Sequence, residues 1–394
     1  METMINDNEK TDLPAIKIYS EFPLTYFGGG ERLIIMIYEN LRKNGITTEI
    51  IENNKMIAET RVGKDEILKH VSSDLSAIRF RRYGFPRFLY QDFPDLMELK
   101  SSLNCICLIF ARRLPPKSIL SEFSRFSENK LVFCLHGIAL EKMRLTDPWI
   151  MVHQFIIRLQ LSKFARFVAG NVYAQCLTPS IGKYLQSKGS SQDNIFIIEN
   201  QYQSVVSDPT LINTSFQVLF IGRMQNLTKG IKFLKKVIKK VKKIEPSIQF
   251  VVIGNGQDAH MLGGLKENCR LLTNADDTIK MGSLLHSNLG IITSSLEPFS
   301  LVAMEFLTSG IPVVTTPASG PSYIIGKDKI FGKVSSFNVR SFSKEIIQYY
   351  ELWESDKKAY FAMRKNIADK ARSAFNERNM LDSYLKMIVE VYSK

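Results

Sequence analysis

Short apolar runs alternate with longer stretches of helical spacing along most of the chain. The runs at 15–19, 46–51, 104–110, 131–135, 172–177 and 194–198 have the length and apolar content of strands. Between the first two, 32–44 repeats Leu33, Ile34, Ile37, Tyr38 and Leu41 at helical spacing and stops at Gly45, a residue that accepts the positive φ of a helix end. The stretch 149–168 is apolar around much of its circumference, and its His153, Arg158, Lys163 and Arg166 fall on no single stripe. That pattern predicts a packed helix rather than a membrane anchor. The polar, aperiodic segment 203–215, which contains Pro209, reads as a linker. A second series follows, with strands at 216–221, 249–253, 270–273, 289–292 and 311–314. Its helix at 231–244 turns Phe233, Leu234, Val237, Ile238 and Val241 inward and a row of lysines to solvent. Two successive strand–helix alternations predict an α/β protein of two domains, 1–200 and 201–375.

The stretch 288–326 carries the densest chemistry. It reads strand, loop, helix, strand, loop, with Ser294, Ser295, Glu297 and Pro298 in the first loop and Gly310 closing the helix. Glu297 precedes the helix and Glu305 lies inside it. A helix start leaves backbone N–H groups unpaired at the positive end of its dipole, so the amides of Phe299, Ser300 and Leu301 form an anion site. A carboxylate, an amide nest and a second carboxylate suit a ligand with hydroxyls at both ends and phosphate between, which is the layout of a nucleotide-sugar.

Glu297-Pro-Phe-Ser-Leu-Val-Ala-Met-Glu305, followed by Gly310-Ile-Pro-Val-Val, resembles the E-x7-E element of retaining glycosyltransferases with the GT-B fold, family 4 in particular. A strand running into Gly222-Arg223, then a short loop and Lys229-Gly230 opening a helix, is similar to the same family. The resemblance implies two Rossmann-like domains facing across a cleft, with a C-terminal helix, 376–394, packing back on the first. It also implies roles. Glu297 contacts the donor hexose and Glu305 the nucleotide ribose. Arg223 and Lys229 clamp the donor diphosphate, and Phe299, Ser300 and Leu301 offer it their amides. The loop of Gly28, Gly29 and Gly30 faces the pyrophosphate, and His136 sits near sugar and acceptor. Glu297, His136, Arg223 and Lys229 are thus the expected catalytic set. Two departures stand out: Ser300 replaces a frequent glycine, and only Asn200 remains of an Asn-Gly-hydrophobic-Asp segment. The implied reaction moves a hexose from a nucleoside-diphosphate sugar to a hydroxyl of a glycan or lipid-linked acceptor in cell-surface glycan synthesis, with retention. The alternatives are a sugar-nucleotide epimerase and a non-catalytic GT-B binding protein.

Composition narrows the setting. Five dispersed cysteines, with no C-x-x-C pair, point to reduced core residues and a cytoplasmic protein. No run of apolar residues is long enough to span a bilayer. Asp276-Asp277 is not a D-x-D motif and no His/Cys/Asp cluster has ligand spacing, so no metal and no other cofactor is expected. The net charge of +13 favours polyanions, anionic lipid surfaces or phosphorylated substrates. A basic–aromatic stretch at 79–90, including Arg81, Arg82 and Tyr83, has two readings. It is a loop on the anionic inner face of the cell membrane, with Arg112 as a further acceptor-side or membrane residue, or it is a solvated loop. Nucleic acid is not an expected partner, because no module for it is present.

Overall fold

The computed structural model describes residues 14–20, 29–53, 78–81, 105–110, 114, 130–142, 148–202, 215–265 and 269–394. They form two α/β units: one from Met1–Leu140, Val152–Asn200 and Arg378–Lys394, the other from Glu141–Met151 and Gln201–Glu377. The hydrophobic pattern groups 141–151 with the first unit; its contacts place it with the second.

The first unit is built on a parallel sheet of β1 (Ile16–Ser20), β2 (Thr48–Asn53), β3 (Ile78–Arg81), β4 (Ile106–Phe110), β5 (Lys130–Cys134), β6 (Val172–Cys176) and β7 (Ile195–Ile197). Its strand order is β3-β2-β1-β4-β5-β6-β7. The first strand lies inside the sheet, where Ile16 pairs with Thr48 on one side and Ile106 on the other. Central strands are covered on both faces, which is why β4 is a continuous apolar run buried at every position. The helices are α1 (Gly29–Lys43), α2 (Pro148–Ala165), whose residues from Val152 on group with this unit, and α3 (Pro179–Gln186), joined by the last helix of the chain, given below. Two differences from the sequence expectation appear here. Helix α1 begins at Gly29 rather than near Arg32, so Gly29 and Gly30 are its first turn and not a loop. Part of the basic–aromatic stretch is strand β3, so Arg79 and Arg81 lie in a sheet edge and not in a loop.

The second unit repeats the plan with β8 (Gln217–Ile221), β9 (Gln249–Ile253), β10 (Arg270–Leu272), β11 (Leu289–Ile292), β12 (Val313–Thr315) and β13 (Gly332–Val334). The order β10-β9-β8-β11-β12-β13 is again parallel and doubly wound. Its helices are α4 (Asn226–Lys229), α5 (Ile231–Ile244), α6 (Asp277–Leu285), α7 (Leu301–Thr308), α8 (Ser319–Ile325), α9 (Val339–Ser355) and α10 (Lys357–Ala374). Helix α5 buries Leu234, Val237, Ile238 and Val241 against Phe216, Val218 and Phe250, leaving its lysines outside.

The terminal helix α11 (Glu377–Ser393) belongs to the first unit. Met380, Tyr384, Met387, Ile388 and Val391 enter the same core as Leu33, Ile37 and Tyr38 of α1. Lys130 caps its far end, donating from Nζ to the carbonyls of Val391 and Tyr392 at 2.7 Å each. A cation at the negative end of the helix dipole stabilises it. Cys105, Cys107, Cys134 and Cys176 are buried free thiols in this unit.

Candidate active site

In parallel α/β sheets the loops beyond the carboxyl ends of the strands hold ligands. In the second unit two such loops are bonded together through their backbones. After β8 the chain turns through Gly222, Arg223 and Met224 into the single turn α4. Gly222 N donates to Ile253 O at 3.0 Å and Met224 N to Asn255 O at 2.7 Å, which ties this turn to the one after β9. Helix α4 closes on Gly230, at φ 65°. A side chain there is impossible for a second reason: its Cβ would stand 2.2 Å from Thr293 O. Thr293 Oγ1 donates to Lys229 O at 2.7 Å, and the amides of Ser295 and Leu296 donate to Thr228 O at 2.7 and 3.2 Å. The loop bearing Lys229 and the loop bearing Glu297 are therefore one stitched unit. Lys229 Nζ stands 3.0 Å from Glu297 Oε2, as an ion pair rather than an aligned hydrogen bond.

Glu297 is only 6% exposed. Its backbone is held from the other side by Glu141, Ser319 and Gly320. Glu297 N donates to Glu141 Oε1 at 3.2 Å, while Glu297 O accepts from Gly320 N at 2.9 Å and from Ser319 Oγ at 3.3 Å. Glu141 also accepts from Ser319 N at 2.8 Å and from Ser319 Oγ at 2.9 Å. This carboxylate, 1% exposed, pins the Glu297 loop to the start of α8. Glu141 is absent from the sequence-predicted site. It is a lone acid in Leu140-Glu141-Lys142, with no periodicity or spacing to mark it, so only its place in space gives it a role.

Helix α7 starts at Leu301, two residues later than the sequence spacing suggests, and Ser300 is its N-cap. The Ser300 hydroxyl accepts from Ala303 N at 3.3 Å. The departure from glycine thus supplies a cap, and the hydroxyl is turned into the helix. No hydrogen bond from the amides of Phe299, Ser300 or Leu301 occurs among the described residues. Orphan N–H groups at a helix start are the donors an anion takes. Glu305, inside α7 and 7% exposed, pairs with Lys280 of α6, while its Oε2 is buried without a hydrogen-bond partner among the described residues. Lys280 is a second residue that sequence reasoning missed. The helix that carries it is capped by Asp276, which accepts from Ile279 N at 2.8 Å. The far end of α7 is held by α10: Arg364 Nε donates to Gly310 O at 2.9 Å and Arg372 Nε to Thr308 O at 3.0 Å.

In the first unit, His136 lies just past β5. Its Nε2 is 2.8 Å from Gln175 Oε1 and 3.1 Å from Tyr384 Oη. Gln175 Nε2 donates to Ile198 O, which turns Oε1 toward the imidazole and makes His136 Nε2 the protonated nitrogen. Phe110 meets the ring edge-on at 5.0 Å. Burial pushes the imidazole down to about 4, against a smaller opposing effect of the Gln175 hydrogen bond. Part of the ring reaches solvent, but Nδ1 is sealed off as a bare acceptor without a partner among the described residues. Gly29 and Gly30 are exposed in the first turn of α1. Gly28, Arg82, Tyr83 and Arg112 lie outside the described residues.

Residues 206–372 match the family described as glycosyl transferases group 1. Over these residues the second half of the chain is similar to group 1 glycosyltransferases. The curated relatives include the phosphatidyl-myo-inositol mannosyltransferase of Mycobacterium leprae, 28% identical over 103 residues that make up 25% of this chain and 28% of that one. They also include one component of the phosphatidylinositol N-acetylglucosaminyltransferase of Arabidopsis thaliana, 26% identical over 154 residues, 36% of this chain and 34% of that one. The aligned parts span about a third or less of these relatives. Among solved structures, the pneumococcal O-GlcNAc transferase in complex with UDP and GlcNAc superposes with a TM-score of 0.65 at 12% identity, covering 97% of this chain and 100% of that one. At that identity the likeness is one of fold, and the fold is GT-B.

Proposed function

We propose that this protein is a retaining glycosyltransferase of family 4 that moves a hexose from a nucleoside-diphosphate sugar to a hydroxyl of a glycan or lipid-linked acceptor. The observation that carries the reading is the Lys229–Glu297 pair set beside the unengaged amides of Phe299, Ser300 and Leu301. Negative charge grows on the leaving diphosphate as the glycosidic bond lengthens. Arg223, Lys229 and the helix-start amides are fixed donors for that charge, and preorganised donors favour the transition state without having to reorient. Glu297 holds hexose hydroxyls and Glu305 the ribose, which fixes the anomeric carbon for attack. The acceptor hydroxyl enters on the face that the diphosphate leaves, through an oxocarbenium-like state, so configuration is retained. His136 is neutral at physiological pH and cannot be a general acid there. A uridine nucleotide is the first donor to test, since the pneumococcal neighbour holds UDP. A lipid-linked acceptor is favoured by the two curated relatives, both named for phosphatidylinositol acceptors.

The test is transfer and donor hydrolysis with UDP-glucose and UDP-GlcNAc by Lys229→Ala and Glu297→Ala. Each is expected to lower kcat/KM about 10²–10³-fold, the usual cost of removing one such stabilising group. Undiminished turnover in both variants rejects the assignment. Conversion of the donor to an epimer with no acceptor present would select the epimerase instead.

A further inference from the structure

Helix α2 is apolar around much of its circumference, yet among the described residues one side of it is core and another is exposed. Leu161, Phe164 and Ala165, with Ile157 beside them, enter the core of the first unit. Trp149, Val152, Phe155, Ile156 and Leu159 are exposed at 76, 53, 58, 46 and 46%. Trp149, Val152, Ile156 and Leu159 follow helical spacing and make one stripe, with Phe155 at its edge. Single exposed apolar residues are ordinary, but a contiguous row along a helix marks a contact surface.

Charge narrows what that contact is. From 148 to 192 the sequence contains no aspartate or glutamate, while Arg158, Lys163, Arg166, Lys183 and Lys188 all fall within it. Lys163, Arg166, Lys183 and Lys188 are exposed. Helix α3 lies against α2 here, with Tyr184 Oη donating to Arg158 O at 3.0 Å and bonded to Ser162 Oγ at 3.1 Å, so the cations of both helices border one region. A second copy of the chain would set these cations against themselves. An anionic bilayer offers an apolar phase with negative charge directly above it, which is the order of an apolar stripe flanked by lysine and arginine. The helix cannot cross the bilayer: no helix among the described residues is long and apolar enough, and the opposite face of α2 is core.

We propose that α2 lies flat on an anionic membrane surface, with the stripe from Trp149 to Leu159 set into the headgroup–acyl boundary. Membrane contact then falls on an element other than the 79–90 stretch, and it holds whichever sugar is transferred.

The full-length protein is mixed with phosphatidylcholine vesicles, with and without phosphatidylglycerol, and sedimented. It is expected to bind only the anionic vesicles and to be released by added salt, because screening weakens the lysine and arginine contribution. Trp149 emission should shift to the blue on binding, with buried Trp353 as a constant background. The combined variant Val152→Ser, Phe155→Ser, Ile156→Ser and Leu159→Ser should lose about 100-fold in partition. Lys163→Glu with Lys188→Glu should lose at least about tenfold. All four serine positions are exposed, so an unchanged Tm verifies folding. Equal binding by the serine variant and the parent overturns the proposal, as does equal binding to neutral and anionic vesicles. A concentration-dependent dimer that the serine variant abolishes, with no vesicle binding by either protein, also overturns it and assigns the face to a second copy.

Discussion

The two units share the order of their first six strands but use glycine differently. In the first, a Cβ placed at Gly30, Gly45, Gly170 or Gly189 meets nothing within 4 Å, and one at Gly182 meets only side-chain atoms, the nearest Ile197 Cδ1 at 2.7 Å. In the second, a Cβ at Gly230, Gly254, Gly256, Gly320 or Gly332 lands less than 3 Å from a backbone atom. Gly254 would place one 1.8 Å from Gly222 O, and Gly320 would place one 2.6 Å from Glu297 O. The strand-end loops of the second unit are thus pressed main chain on main chain, and Lys229 and Glu297 take their positions from that contact. The strand end of the first unit is held by side chains instead, with Gln175 and Tyr384 around His136. Main-chain contacts cannot rotate away, so they suit charged groups that must stay fixed. A neutral imidazole is held adequately by two side chains.

The sharpest way to break this contrast is Gly254→Ala. The new Cβ has no room, and the φ of 153° is strained for alanine, so a loss of about 3–5 kcal/mol in denaturant unfolding is expected. A loss below about 1 kcal/mol would mean that the backbone contact yields, against the usual cost of such overpacking. His136→Asn comes next and probes the first unit. Burial lowers the imidazole from its ordinary 6.5 to about 4, so the unfolded chain takes up this proton at a higher pH than the folded one. The contribution of His136 to stability is therefore complete above pH 6.5, and it is lost as the pH falls through the window toward 4, with a ceiling of about 3 kcal/mol. The variant should flatten that acid slope in unfolding curves; an unchanged slope would show that the ring is not held neutral. The smallest effect is expected from Gly30→Ala. In the first turn of α1 with open space around it, alanine should raise stability by about 0.5 kcal/mol. A fall in kcat/KM alongside that gain would place a ligand against Gly30; unchanged kinetics would make it an ordinary helix residue.

Much of the fold is visible in the hydrophobic pattern. Strands β8 to β12 of the second unit lie within about two residues of the apolar runs. The Glu297–Glu305 spacing, the Gly222-Arg223 turn and the Lys229-Gly230 helix start can be found by eye because each sits at a strand–loop–helix junction, where residue type and backbone geometry are coupled. Glu141 and Lys280 could not be found that way. Their partners are far along the chain, Glu297 and Ser319 for one and Glu305 for the other. The outward face of α2 is equally hidden, because a helix apolar around much of its circumference looks the same in sequence whether it is wrapped or half bare.

By itself the chain determined its elements, its two repeated α/β series and the residue types at the strand ends, because period, caps and glycine positions are local properties. Which carboxylate steadies which loop, which lysine meets which glutamate, and which side of a helix is left uncovered were decided only when distant segments packed. Those outcomes depend on distances of a few ångströms between residues that can lie more than a hundred positions apart in sequence, as Glu141 and Glu297 do.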